Sequence, residues 1–177
     1  LTSDGGEDRL EMLGQVMDQF EANGVIDIAL KTDVELSLIS SQDEKKEALN
    51  FRQRHFFDSI HIQDPYCFTL DEKDHLHWVL YENGAVIGYV HVQIWEQQRA
   101  ALRIIVIDEK KRCMGFGKYL MGSIEKELKE QGINLLQIEA SLSAAPFYRG
   151  LGYLDMPFNS PDKQPTHPDD RAMGKYL

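Results

Sequence analysis

At 177 residues, 42% apolar and 27% charged, the chain has the makeup of a single soluble domain with a sizeable core. Nineteen Lys and Arg against 29 Asp and Glu give a net charge of −10, which excludes nucleic acid as the main partner and weakly favours a cationic one. No apolar run reaches membrane-spanning length and no secretory signal is visible. Cys67 and Cys113 are too few for a disulfide scaffold, so a reducing cytoplasm is the expected compartment.

The chain opens on Leu1 rather than Met, which points to a longer parent chain. Leu1 to Glu7 reads as disordered. From Arg9 to Ala22, Leu10, Leu13, Val16, Met17 and Phe20 share one helical face, and Asn23-Gly24 supplies a stop. Residues 1–31 thus form an N-terminal extension with one helix. Whether it docks on the remainder or is a remnant of another domain stays open. Residues 32–177 are read as the main domain.

Val34 to Ser40 alternates as a first strand, and Ser41-Gln-Asp-Glu44 is a capping box opening a helix that is expected to run to about Phe57. Phe56, Phe57, Tyr66 and Phe68 cluster around a turn at Asp64-Pro65. Leu76 to Tyr81 and Val86 to Trp95 are strands joined by Asn83-Gly84, a hairpin signal. His75, His77 and His91 fall on these strands without a Cys or carboxylate at metal-ligand spacing, so they read as surface or satisfied core histidines, with no metal. Ala100 to Ile107 is the next strand, fed by an antiparallel meander. Its last residues, Ile104 to Ile107, are consecutively apolar, as in a strand buried on both faces.

A basic loop and Gly115-Phe116-Gly117 then lead into a helix. Phe116, Leu120, Ile124 and Leu128 line its apolar face, Glu125 and Lys129 are spaced as an i,i+4 pair on its wet side, and Gly132 ends it. Leu135 to Ala140 follows as a strand parallel to the central one, so a ligand should enter where these two diverge, at their C-terminal ends. A short helix begins near Ala144. Asn159 to Asp170, with three prolines, reads as a long irregular loop, and Arg171 to Leu177 as the last strand.

The chemistry concentrates at the basic loop. The first turn of a helix leaves N–H groups unpaired at the positive end of its dipole, and glycines let an anion approach them closely. Lys110, Lys111, Arg112 and Lys118 surround Gly115 and Gly117 in an otherwise acidic chain. A nucleotide-hydrolase P-loop is excluded, because Tyr119 stands where Ser or Thr must follow the lysine and Arg112 holds the first glycine position. A dinucleotide fingerprint is excluded because Leu120 replaces its third glycine and Asp108 to Met114 separate strand from glycines.

Arg112-x-x-Gly115-x-Gly117 after an apolar strand resembles the R/Q-x-x-G-x-G/A motif of the GCN5-related N-acetyltransferase (GNAT) superfamily. Ala144-Ala-Pro-Phe147-Tyr148-Arg-Gly-Leu-Gly152-Tyr153 resembles that family's A-x-x-F-Y-x-x-x-G-F/Y segment. Cys113 and Met114 depart from the usual small or basic pair, and Ser141 sits where many members have Asn. The resemblance spans Val34 to Leu177. It implies an α/β (α+β) fold, a central mixed, mostly antiparallel sheet of six to seven strands flanked by helices. It also implies an N-acetyltransferase that moves the acetyl group of acetyl-CoA to a primary, cationic amine by direct attack.

The resemblance further implies where acetyl-CoA is held. The pyrophosphate would lie on the loop of Arg112, Cys113, Met114, Gly115, Phe116, Gly117 and Lys118, with Ser141 and Phe147 along the pantetheine arm. A backbone N–H of Ile105, Val106 or Ile107 would hold the oxyanion, and Tyr148 would protonate the departing sulfur. For the base the candidates are Glu96, beyond the third strand, and Glu139, on the fifth. The helical pair and loop around Phe56 to Phe68 would wall the acceptor site. No metal, nucleic acid or membrane partner is expected, and a homodimer is among the assemblies left open. An acyl-CoA-binding module without turnover is the alternative reading; Tyr148 argues against it, because a binder needs no acid at the sulfur.

Overall fold

A computed structural model describes residues 33–162 and 168–177. The expected helix at Arg9 to Ala22 and the middle of the loop before the last strand lie outside these residues. Seven strands form one sheet in the order β1-β2-β3-β4-β5-β7-β6. They are β1 (Val34–Leu38), β2 (His75–Glu82), β3 (Ala85–Trp95), β4 (Arg99–Ile107), β5 (Leu135–Ala140), β6 (Leu154–Asp155) and β7 (Arg171–Tyr176). Every pairing is antiparallel except β4 with β5, which are joined through helix α2 (Phe116–Glu130). The mixed, mostly antiparallel sheet implied by the sequence is the one observed. β6, only two residues long, carries too little pattern to be read from sequence.

Local chemistry accounts for the boundaries. Asn83 and Gly84 both take positive φ, 50° and 76°, as a two-residue turn between right-twisted strands requires. Ser41 and Glu44 close the capping box at α1 (Gln42–Arg52), and hydrogen bonds from the Ser40 N–H, then the Ser41 N–H, pull the Glu44 carboxyl down to about 2. α1 stops at Arg52, short of Phe57. A π-helical turn over Gln53–Phe57 and a tight turn over Asp58–Ile60 replace its expected end. The Gln53 side chain fixes this change by donating to Asp58 Oδ1 (2.6 Å) and Ile62 O (3.0 Å) and accepting from the Asp64 N–H (2.8 Å).

The sheet is covered on both faces. Phe116, Leu120, Ile124 and Leu128 of α2 are buried against Trp78, Leu80, Val90, Val92, Leu102, Leu136 and Ile138 on one face. Ala48 and Phe51 of α1, with Phe57, pack on Val79, Tyr89, Ile104 and Val106 on the other. Glu125 does not pair with Lys129 as expected. It accepts from Tyr153 Oη (3.0 Å) and Lys175 Nζ (2.6 Å), because strand β7 and the turn that leads into β6 close over that side of the helix.

β4 explains its own run of consecutive apolar residues. His91 pairs with Ile104 but Val92 pairs with Leu102, so Arg103 is an extra, bulged residue. Past the bulge, Ile104 and Val106 enter the α1-side cluster, while Ile105 and Ile107 turn to the α2 side. The same strand leaves its parallel neighbour early. Register with β5 runs from Arg99↔Leu135 to Leu102↔Ile138 and goes no further. Beyond that point β4 and β5 diverge.

Candidate active site

The divergence opens a cleft of about 510 Å³ lined by Ile105, Val106, Ile107, Arg112, Ser141 and Ser143, and by His55, Phe56, Ser59 and Ile60. Five of the residues expected from sequence are therefore brought together: Ile105, Val106, Ile107, Arg112 and Ser141. The backbone supplies the cleft with donors. Asp108 N–H bonds Ile87 O (2.9 Å), and hydrogen-bonded pairs alternate along an antiparallel ladder, so Val106 and Ile104 also face β3. The N–H groups of Ile105 and Ile107 consequently point to the opposite edge, where β5 has already left.

The basic loop reaches the cleft at Arg112, whose Nε donates to Ile107 O at 3.3 Å and ties the loop to the strand end. Lys111 is committed elsewhere, in an ion pair with the buried Glu82. Gly115 caps α2 with φ 90° and offers no side chain to the helix, so the first-turn N–H groups remain available to a ligand. Helix α3 (Ala145–Gly150) lays Phe147 over the start of α2, so that a Cβ at Gly117 would meet its ring at 3.4 Å, a van der Waals contact. Cys113 is exposed and holds φ 60°, and Met114 beside it is exposed. Lys118 is also exposed, while Phe116 points inward as a core residue.

Tyr148 on α3 is buried in the apolar cluster, its ring edge-on to Phe147 (5.2 Å) and Tyr153 (5.6 Å). Desolvation alone pushes its phenol up to about 12, so it holds its proton throughout the neutral range. Glu139 lies one residue past the last β4–β5 pair, at the fork itself. Its Oε1 is buried without a hydrogen-bond partner, and burial followed by the charge of Asp170 raises its pKa, with Arg103 opposing. Glu96 is placed differently. It sits in the turn between β3 and β4, so the stretch of β4 from Arg99 to Ile105, roughly 20 Å, separates it from the cleft. The structure brings Glu139 to the fork and leaves Glu96 at the far end of the strand.

His55, Ser59, Ile60 and Ser143 line the cleft without having been singled out in the sequence. The π-helical turn is the reason for the first three: its wider winding rotates the face that an α-periodicity would have extrapolated. A buried polar network holds this wall in place. Arg52, fully buried, donates to Asp64 Oδ2 (2.5 Å) and to Tyr89 Oη (2.7 Å). The Tyr89 hydroxyl is bonded to His77 Nδ1 (2.7 Å), and His77 Nε2–H donates to Thr69 O (3.0 Å). His91 stacks on His77 at 4.3 Å and is bonded to His75 at 2.6 Å. Desolvation holds His77 down at about 4 and His91 at about 2, so both are neutral. The sequence reading of satisfied core histidines fits His77 fully; His91 keeps a buried Nδ1 without a partner.

Residues 40–153 match the family model described as Acetyltransferase (GNAT) family. The ribosomal protein bS18-alanine N-acetyltransferase of Haemophilus influenzae is 32% identical over 81 residues, 45% of this chain and 55% of that protein. Among solved structures, a GNAT-family acetyltransferase from Staphylococcus aureus Mu50 superposes with a TM-score of 0.65 at 19% identity, covering 81% of this chain and 99% of that one. The PaiA N-acetyltransferase of Thermoplasma acidophilum, in complex with coenzyme A, gives 0.58 at 16% identity over 81% and 99%. These two likenesses show a shared fold.

Proposed function

This chain belongs to the acetyltransferase (GNAT) family, and from that premise we propose that it transfers the acetyl group of acetyl-CoA to a primary amine by direct attack in a ternary complex. As a family member it is an acyltransferase with acetyl-CoA as cosubstrate. The observation that carries the finer reading is the fork: β4 and β5 part after Leu102 and Ile138, and the freed N–H groups of Ile105 and Ile107 face the same cleft as Arg112 and Ser141.

In this reading the pyrophosphate rests on the first turn of α2 and the basic loop, where Gly115 and Gly117 admit it. The thioester carbonyl accepts from the Ile105 or Ile107 N–H, which stabilises the tetrahedral oxyanion. Glu139 takes the proton of the attacking ammonium, directly or through a water, and its raised pKa suits that task. A C–N bond forms and the C–S bond breaks. The departing thiolate takes the Tyr148 proton, the second proton on the new amide nitrogen restores Tyr148 directly or through water, and the proton held by Glu139 returns to solvent. Arg112 orients the loop through Ile107 O, and the apolar setting of Tyr148 keeps competing water from the sulfur.

Gly117→Glu tests the placement by adding bulk beneath Phe147 and a negative charge where the pyrophosphate lies. Calorimetry should find no measurable acetyl-CoA binding in a variant whose circular dichroism is unchanged. Wild-type affinity in that folded variant overturns the loop assignment. Binding of acetyl-CoA by the wild type with no amine-dependent thiol release would instead leave an acyl-CoA-binding module.

A further inference from the structure

The acceptor side of the cleft has a chemistry that the net charge of −10 does not foreshadow. None of the ten residues lining the cleft is Asp or Glu, and the one fixed charge among them, Arg112, belongs to the pyrophosphate end. Opposite Ile105 to Ile107 stand His55, Phe56, Ser59 and Ile60. Phe56 and Ile60 are 36% and 56% exposed, although both are large and apolar. Behind them the Phe56 ring packs 5.0 Å from the buried Phe57, which anchors this wall to the core.

The carboxylates next to this wall already have partners. Asp58, exposed on the turn between Phe56 and Ile60, accepts from Gln53 Nε2 at 2.6 Å. Asp64 is buried against Arg52. That leaves Glu139 at the fork, with one unpartnered oxygen, as the group positioned to meet an ammonium. A second cation further along the wall would lose hydration against Phe56 and Ile60 and would have to compete with Gln53 for Asp58.

Resting on the acetyl-transfer reading above, we propose that the acceptor is a primary monoamine carried on an apolar body, an alkyl- or arylalkylamine, seated along Phe56 and Ile60. A second ammonium is disfavoured on this wall relative to a methyl group. The negative charge of the chain is met by the single ammonium, which docks and is then deprotonated at Glu139.

The experiment follows amine-dependent release of coenzyme A thiol at saturating acetyl-CoA with ethylamine, butylamine, hexylamine and 1,6-diaminohexane. The three monoamines have nearly the same acidity, so differences in kcat/KM report the wall and not the fraction of neutral amine. Burial of each methylene should raise kcat/KM about threefold along the series. Placing a second ammonium on the terminal carbon of hexylamine, as in 1,6-diaminohexane, should lower it at least about tenfold. In the Phe56→Ser and Ile60→Ser variants the ratio of hexylamine to ethylamine should fall toward one while KM for acetyl-CoA holds, a pattern that general unfolding cannot produce. A flat monoamine series, or a diamine turned over as well as hexylamine, overturns the substrate class and leaves acetyl transfer standing. Acetyl-CoA binding without turnover of any amine overturns both.

Discussion

Under α2 the sheet is sealed by Leu120, Ile124 and Leu128 against Leu80, Val90 and Leu136; under α1 the same sheet buries Arg52, Asp64, Tyr89, His77 and His91. The first face is held by area removed from water, which is non-directional and tolerant of repacking. The second adds to its apolar cluster around Phe51, Phe57, Val79 and Val106 hydrogen bonds that each need one partner in one place: Arg52 to Asp64 and Tyr89, Tyr89 to His77, His77 to Thr69. The residues fixed by the second face, from the end of α1 to Thr69, are those that wall the cleft. Burial of ions is a poor source of net stability, so the polar face is better understood as fixing the position of that wall.

Breaking one member of the polar face should therefore have the largest effect. Asp64→Ala leaves the fully buried Arg52 charge without its carboxylate, an expected loss of about 3–5 kcal/mol in denaturant unfolding. Replacing both partners, Arg52→Met with Asp64→Leu, should recover most of that stability. It should still raise KM for the amine, because the π-helical turn loses its anchor. A double variant as unstable as Asp64→Ala alone would show that the pair is a true source of stability and remove the contrast between the faces.

Tyr148 sharpens the comparison from the apolar side, since it is a proposed chemical group set in the cluster beneath α2. Tyr148→Phe keeps the ring contacts with Phe147 and Tyr153 and removes only the hydroxyl. With a phenol held near 12, proton transfer to a thiolate is uphill, so its contribution belongs at the lower end of general acid catalysis, about 100-fold in kcat. Melting temperature and acetyl-CoA affinity should barely move. Wild-type turnover with chemistry rate-limiting would return Tyr148 to the core as a packing residue.

The contrast between the faces also decides what could be read from sequence. The α2 stripe, the Asn83-Gly84 turn and the Ser41–Glu44 box are local or periodic, and each is where the residues placed it. The glycine-flanked loop was legible for the same reason: the helix cap and the basic cluster lie within a few residues of each other. The polar face was not legible. Arg52, Asp64, Tyr89 and His77 meet only because β2, β3 and the segment after α1 converge, and no spacing in the chain announces that. The Arg103 bulge is likewise invisible without the partner strand, yet it decides which of Ile104 to Ile107 turn toward each helix. Glu96 precedes β4 and Glu139 is near the end of β5, so the expected entry at the C-terminal strand ends already set the two at opposite ends of the parallel pair.

Acid should separate the two faces by degree. His77 and His91 have folded pKa values of about 4 and about 2, below the ordinary 6.5, so the unfolded chain binds the extra protons first. Stability is complete above about 6.5 and falls as pH drops through that value toward 4. Between about pH 7 and pH 5 the expected loss is about 3–4 kcal/mol for the two rings together, visible as a falling melting temperature. In His91→Gln the slope should shrink, since one of the two titrating rings is gone. A slope unchanged in that variant would assign the acid sensitivity to other groups.

The smallest effect is expected at the loop that joins the faces. Cys113 takes φ 60°, a left-handed conformation that costs a residue with a Cβ about 1–2 kcal/mol. Its thiol is exposed, without a disulfide, and so offers little packing in return. Cys113→Gly removes the backbone penalty but frees the unfolded chain, which takes back about 0.5–1 kcal/mol. The net should be a gain of roughly 0.5 kcal/mol in unfolding free energy, the opposite sign from every substitution in the polar face. Each is small enough that paired denaturation curves on one preparation are needed to resolve it. A clear loss of stability in the glycine variant would mean that the Cys113 side chain anchors the loop, and the left-handed turn would then be held by that contact and not by the hydrogen bond from Arg112 to Ile107.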